Sequence, residues 1–171
     1  MSTAYIVDAV RTPIGRHKGA LASVRPDQLA SAPLKALIER SKIDPRLIED
    51  VVMGCVTQVG EQGLNIGRIA PLVAGLPVDL TGTSVNRMCG SSLQAVNFAA
   101  MGVASGFQDV VIAGGVESMS RVPMGSDMML NGEPALPAPE LSWRFSIVPQ
   151  GTSAELVARR FDLRQIGRAH V

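Results

Sequence analysis

Thr83-Ser84-Val85-Asn86-Arg87-Met88-Cys89-Gly90-Ser91-Ser92-Leu93-Gln94-Ala95 runs from a strand-like stretch, through a lone cysteine, into an apolar segment. This reads as strand, turn and helix, with Cys89 where the helix starts. The unpaired N–H groups and positive dipole end of a helix favour negative charge beside them. A thiol in that position is drawn toward the thiolate, which is the nucleophilic form. Gly90 and the small Ser91 and Ser92 let another molecule approach the backbone closely. Cys89 is therefore a candidate nucleophile. A buried cysteine in a tight turn is the competing reading, and these residues alone leave the two open.

Working outward, Val- and Ile-rich strands alternate with helical patterns. Residues 4–10 read as a strand, and residues 11–19, with Arg11, Arg16, His17 and Lys18, as a solvated loop. Pro26-Asp27 starts a helix to about Arg40, with Leu29, Leu34, Leu37 and Ile38 as its apolar stripe. Pro33 lies inside that pattern and should kink it or delay its start. A helical turn opened by Asp44-Pro45 precedes a strand over residues 50–57. After a loop at residues 60–63, Asn65 can cap a helix over residues 66–74, ended by Gly75 and Pro77. The next strand lies near residues 83–85. The helix after Cys89 runs to about Ser105 and is ended by Gly106. Its apolar residues cover most of its circumference, which predicts burial on nearly all sides. Residues 109–115 form a further strand and glycine turn. The alternation predicts an α/β fold, a layered sheet with helices on both faces. Cys89 then lies at the carboxyl edge, where open α/β sheets place their reactive sites.

Composition narrows the function classes. The 171 residues are 46% hydrophobic, 4% aromatic and 18% charged, with net charge +1. That is enough chain for one domain with a core of small and aliphatic side chains. It carries no basic footprint for nucleic acid. Cys55 and Cys89 form neither a metal-ligand spacing nor a disulfide framework. Cys55, in Val51-Val52-Met53-Gly54-Cys55-Val56, reads as a small core residue. The start of the chain lacks a basic, apolar signal segment, and no long uninterrupted apolar run is present. The expectation is no membrane partner and a reducing, cytoplasmic setting. From about Arg121 the texture changes to Met119, Met124, Met128 and Met129 among Pro123, Pro134, Pro137 and Pro139. Such an excursion is functional or interfacial. Adaptable methionines favour a packing or oligomer arm. Thr152 or Ser153 then caps a helix over residues 154–161.

Three motifs in order resemble the thiolases, the acetyl-CoA C-acyltransferase family. They are Asp8-Ala9-Val10-Arg11-Thr12-Pro13-Ile14-Gly15, the Cys89 stretch from Val85 to Ala95, and Ala113-Gly114-Gly115-Val116-Glu117-Ser118-Met119-Ser120. The resemblance is collinear from Tyr5 to about Leu163. It implies a thiolase-like layered fold of two βαβαβαββ halves, of which this chain carries the N-terminal half. The implied division is residues 1–120 for an incomplete N-terminal domain and 121–163 for the start of a loop domain that holds coenzyme A and makes oligomer contacts. The resemblance also implies acyl-CoA substrates, coenzyme A as co-substrate with no permanently bound cofactor or metal, and a homodimer or homotetramer. Fatty-acid metabolism and β-oxidation are the implied setting.

In that picture Cys89 attacks a 3-ketoacyl-CoA, carries the acyl group as a thioester, and lends its backbone N–H to an oxyanion hole. The reverse direction is a Claisen condensation of acetyl groups. The family completes its site with two histidines and a second cysteine, in Asn-Glu-Ala-Phe-like, Gly-His-Pro-like and Cys-x-Gly segments. None occurs here, and His17 and His170 stand in other contexts. The expectation is therefore an inactive fragment. Residues 164–171 leave the family pattern, and Ile166 to Val171 can be back-translated into a sequencing adapter, so they read as a non-native tail. Short-chain biosynthetic members carry His-Met-Gly-Thr-Thr-Ala-Glu where this chain has Pro149-Gln150-Gly151-Thr152-Ser153-Ala154-Glu155. That tilts the expectation toward a 3-ketoacyl-CoA thiolase of broader chain length. A non-catalytic lipid or sterol carrier and a ketoacyl-synthase-type enzyme are the alternatives.

Overall fold

Val51, Val52 and Met53 follow one another without a polar break, and such a run belongs in a sheet covered on both faces. The computed structural model, which describes residues 3–135 and 137–163, has this arrangement. Strand β1 (Asp50–Gly54) is the middle of a three-stranded parallel sheet, flanked by β2 (Thr81–Val85) and β3 (Val111–Gly115). Gly54 stands in register with both Val85 and Gly115, so the three strands end level. Helix α1 (Pro26–Ser41) precedes the sheet, α2 (Ile66–Ala74) joins β1 to β2, and α3 (Ser91–Ser105) joins β2 to β3. The second crossover returns past β1, opposite in direction to the first. Right-handed connections then require the two helices to lie on opposite faces.

Packing follows that rule. Val51 and Met53 join Ala30 and Leu34 of α1 and Ile66 and Ala70 of α2 in one buried cluster. Gly54 points the other way. A Cβ there would come within 2.3 Å of the Ser92 backbone nitrogen, so α3 lies directly on that face. Gly67 and Gly82 make the matching contact between α2 and β2. A Cβ on Gly67 would sit 2.1 Å from the Thr83 carbonyl oxygen.

The α/β sheet with helices on both faces is as the sequence predicts, and several details differ. Residues 4–10 form no strand. They are extended, with Tyr5, Ile6 and Val7 80%, 81% and 88% exposed. Strand-forming side chains need a ladder partner, and the described residues offer none there. Pro33 does not delay α1, which begins at Pro26 and continues through it. Asn65 holds the N-cap position of α2 at φ 57° but makes no cap bond. Its amide donates to the Gly82 carbonyl at 2.8 Å and its oxygen accepts from the Ser84 hydroxyl at 2.9 Å, tying the helix start to β2. Helix α3 is buried only along Ser91, Gln94 and Ala95, while Leu93 and Met101 are 67% and 60% exposed. An all-apolar circumference shows that a helix can be covered on all sides, not that this stretch of chain supplies the cover.

The described residues divide into two compact units at the Met129–Leu130 junction, beside a short hairpin of β4 (Met129–Leu130) and β5 (Glu133–Pro134). The second unit contains α4 (Pro139–Arg144) and α5 (Gln150–Arg160). Helix α5 starts earlier than the Thr152 or Ser153 cap predicts. Pro149 holds the N-cap position, and the Ser153 hydroxyl donates back to the Pro149 carbonyl at 3.4 Å. The 164–171 tail and His170 lie outside the described residues. Among the described residues, no helix is long and apolar enough to cross a membrane.

Candidate active site

Three loops leave the carboxyl edge of the sheet side by side: residues 55–62 after β1, 86–90 after β2 and 116–118 after β3. Cys89 belongs to the middle one, and its side chain is exposed. It lies one residue before Gly90, the N-cap of α3, so the thiol stands at the positive end of a helix of 15 residues. Met88, immediately before it, has φ 48°, a left-handed conformation that a residue with a large side chain adopts only under constraint.

The constraint is visible in the hydrogen bonds. The Met88 N–H donates to Asn86 Oδ1 at 2.9 Å. The Met88 carbonyl accepts the Ser91 N–H at 3.0 Å and the Ser91 hydroxyl at 2.5 Å. Ser91 Oγ in turn accepts the Arg87 N–H at 2.9 Å. Each side of the turn is therefore held by a side chain within five residues of the cysteine.

A second layer of polar contacts lies beneath. Glu117 accepts the Val56 N–H at 2.9 Å, the Thr57 N–H at 3.3 Å and the Gln62 amide at 2.7 Å. Gln62 is fully buried, gives its other amide hydrogen to the Thr57 carbonyl and accepts the Ser118 N–H at 2.6 Å. A buried polar network satisfied at every atom rigidifies its surroundings. Glu61, next door, accepts from Arg25 at 2.8 Å and from Arg121 at 2.6 Å. The Arg121 hydrogen bond is the main reason its carboxyl titrates below the ordinary glutamate value.

Cys55 starts the first of these loops and is only 1% exposed. Burial first, then the nearby Glu117 and Asp127 carboxylates, push its thiol up to about 12. It is inert where Cys89 is accessible. His17 borders a cleft of about 430 Å³ between residues 10–17, α1 and residues 112–120, and Cys89 does not line that cleft. Among the described residues no cluster of histidine, cysteine or carboxylate side chains could hold a metal.

Asn86, Gln62 and Glu117 are the residues that sequence reasoning did not single out. Asn86 had a local signal, since an asparagine commonly bonds the N–H two residues on. Gln62 and Glu117 had none, because the bonds between residues 56–62 and residues 117–118 form only through the sheet register.

A parallel α/β sheet with an exposed cysteine presented from a strand-to-helix turn at its carboxyl edge defines a class of α/β proteins with a thiol on the edge where such sheets place their sites. Within that class the chain belongs to the thiolase family. The family profile described as "Thiolase, N-terminal domain" matches residues 4–166. The chain is 52% identical over 124 residues to the 3-oxoadipyl-CoA/3-oxo-5,6-dehydrosuberyl-CoA thiolase of Escherichia coli, covering 72% of this chain and 31% of that protein. It is 43% identical over 180 residues to the beta-ketoadipyl-CoA thiolase of Acinetobacter baylyi, covering 96% of this chain and 44% of the relative. It is 38% identical over 170 residues to a steroid 3-ketoacyl-CoA thiolase of Mycobacterium tuberculosis, covering 95% and 42%. The chain thus spans less than half the length of these curated relatives.

Proposed function

We propose that this chain supplies the acyl-carrying nucleophile of a thiolase that cleaves 3-ketoacyl-CoA with coenzyme A. The observation that carries this reading is the exposed Cys89 in a braced, left-handed turn ahead of α3. Its thiolate attacks the keto carbon, the bond to the neighbouring carbon breaks, and the departing acetyl-CoA carbanion takes up a proton. The acyl group stays on Cys89 as a thioester until the sulfur of a second coenzyme A removes it. Splitting the reaction in this way replaces one difficult step by two easier ones. The Cys89 backbone N–H is a donor to the thioester oxygen, and one such donor contributes roughly 3 kcal/mol to a transition state.

Proton transfer to the carbanion needs an acid/base group placed within hydrogen-bond reach. The acyl group reaches Cys89 in the same step that releases this carbanion, so a chain without such a group beside Cys89 is expected not to cleave 3-ketoacyl-CoA by itself. The names of the E. coli and Acinetobacter relatives make 3-oxoadipyl-CoA the first substrate to try. Pro149 and Gln150, in place of the His-Met of short-chain biosynthetic members, support it over acetoacetyl-CoA. A homodimer or homotetramer, with residues 121–163 opening a coenzyme A-holding loop domain, completes the reading.

The test joins residues 1–163 to the remaining part of the Acinetobacter relative and follows coenzyme A-dependent loss of 3-oxoadipyl-CoA. Cleavage that disappears in Cys89→Ala, with an acyl group trapped on Cys89 in the parent hybrid, is the expected result. An inert, folded hybrid, or one that keeps its rate without Cys89, refutes the reading.

A further inference from the structure

The turn that presents Cys89 is connected to the loop after β1 through a single exposed side chain. Asn86 accepts from the Met88 N–H at 2.9 Å with its oxygen and donates to the Val56 carbonyl at 3.0 Å with its nitrogen. The peptide it grips in the 55–62 loop is the one that Glu117 anchors. Glu117 Oε2 holds the Val56 N–H, and Oε1 holds the Thr57 N–H and the buried Gln62 amide. A continuous path of hydrogen bonds therefore runs from the end of β3, through the loop after β1, to the turn that presents Cys89.

Two features give this path a purpose beyond packing. Asn86 is exposed and contributes nothing to the apolar core. The residue whose N–H it holds is Met88, the position of positive φ that fixes where Cys89 stands relative to α3. A conformation of that kind persists only when its surroundings over-determine it. Asn86 supplies the one side-chain bond to the Met88 N–H, and Glu117 fixes the ground on which Asn86 stands.

We propose that Asn86 is a positioning residue for Cys89, and that Glu117 acts on Cys89 through it by way of the Val56–Thr57 backbone. The role rests on reading Cys89 as the nucleophile. With the Asn86 amide removed, Met88 is free to relax toward ordinary φ values and Cys89 leaves its place ahead of the helix. With Glu117 changed to glutamine, an amide group meets at least one of three donors, and the loop under Asn86 loosens.

The experiment uses the full 171-residue chain fused to a solubilising domain, with iodoacetamide as probe and the label at Cys89 and Cys55 read separately by peptide mass spectrometry. Asn86→Ala is expected to slow Cys89 alkylation roughly tenfold, about what the free energy of one net hydrogen bond is worth. Asn86→Ser should restore part of the rate, because a serine hydroxyl can bond the N–H two residues on but cannot reach Val56. In Asn86→Ala the further change Glu117→Gln should slow Cys89 less than it does alone, since residues on one path are not additive. Cys55 reports general opening and should stay unlabelled in the Asn86 variants. An unchanged or faster Cys89 rate in Asn86→Ala overturns the proposal, as does a change that Cys55 labelling follows in parallel. If Glu117→Gln exposes Cys55, the Asn86→Ala and Asn86→Ser pair decides alone. An inert hybrid thiolase with the predicted alkylation pattern would defeat the thiolase reading and leave this one standing.

Discussion

Cys55 and Cys89 leave the ends of adjacent parallel strands, and their surroundings send them to opposite fates. Cys55 sits in the apolar cluster with two carboxylates nearby, so both burial and charge oppose its thiolate. Cys89 stands in water at a helix start. Brief treatment of the native chain with iodoacetamide near neutral pH should label Cys89 and spare Cys55, which reacts only after denaturation. Equal labelling of both would contradict the burial described above. Cys55 also carries a pH signature. Its thiol is raised from 9.0 to about 12 in the folded chain, so below pH 9 both states hold the proton. Between those values the unfolded chain releases the proton and the folded chain does not, and stability falls as pH rises through that window. Denaturant midpoints of Cys55→Ala should therefore decline less steeply above pH 9 than those of the parent; parallel declines would remove Cys55 as a cause. The strand-to-helix position of Cys89 is legible in its own sequence neighbours. The bracing by Glu117 is not, because its carboxylate meets Val56 and Thr57 only when Gly54 and Gly115 come into register.

Elements in this fold are held apart or together by what glycine lacks. Helix α2 approaches β2 so closely that a methyl group on Gly67 would overlap the Thr83 carbonyl, and backbone cannot step aside as a flexible side chain can. Gly67→Ala should destabilise the chain by about 3 kcal/mol, at the upper end for overpacking. Gly75 is the contrast. It ends α2 at φ 81° with open space around it, so Gly75→Ala carries only backbone strain, about 1 kcal/mol. Urea midpoints of the two variants test the ranking, and a smaller loss at Gly67 would show that α2 can shift away. Helix ends at Gly75 and Gly106 are readable from sequence because the left-handed cap is a local demand. The side-chain bonds of Asn65 are not, since a cap and a bridge to β2 use the same atoms and the distance to Ser84 and Gly82 decides between them.

At the scale of the molecule, a three-stranded sheet carries more apolar surface than the described residues cover. Leu93, Val96, Phe98 and Met101 of α3 face outward, and residues 5–7 lie extended without a partner. Exposed apolar area of this extent marks an interaction surface. The chain by itself should self-associate in gel filtration and bind a hydrophobic dye, and Leu93→Glu with Met101→Glu should reduce both. A dilute, dye-negative monomer would mean that the face is tolerated in water. The sequence by itself determined the α/β alternation, the strand-to-helix placement of Cys89 and membership of the thiolase family. Each rests on patterns local to a few turns of chain. Only the tertiary structure decided which strands pair, which helix faces are covered and what holds the Cys89 turn. Those outcomes depend on contacts between distant segments, and a residue's propensity says what it can pack against, never whether a partner is present.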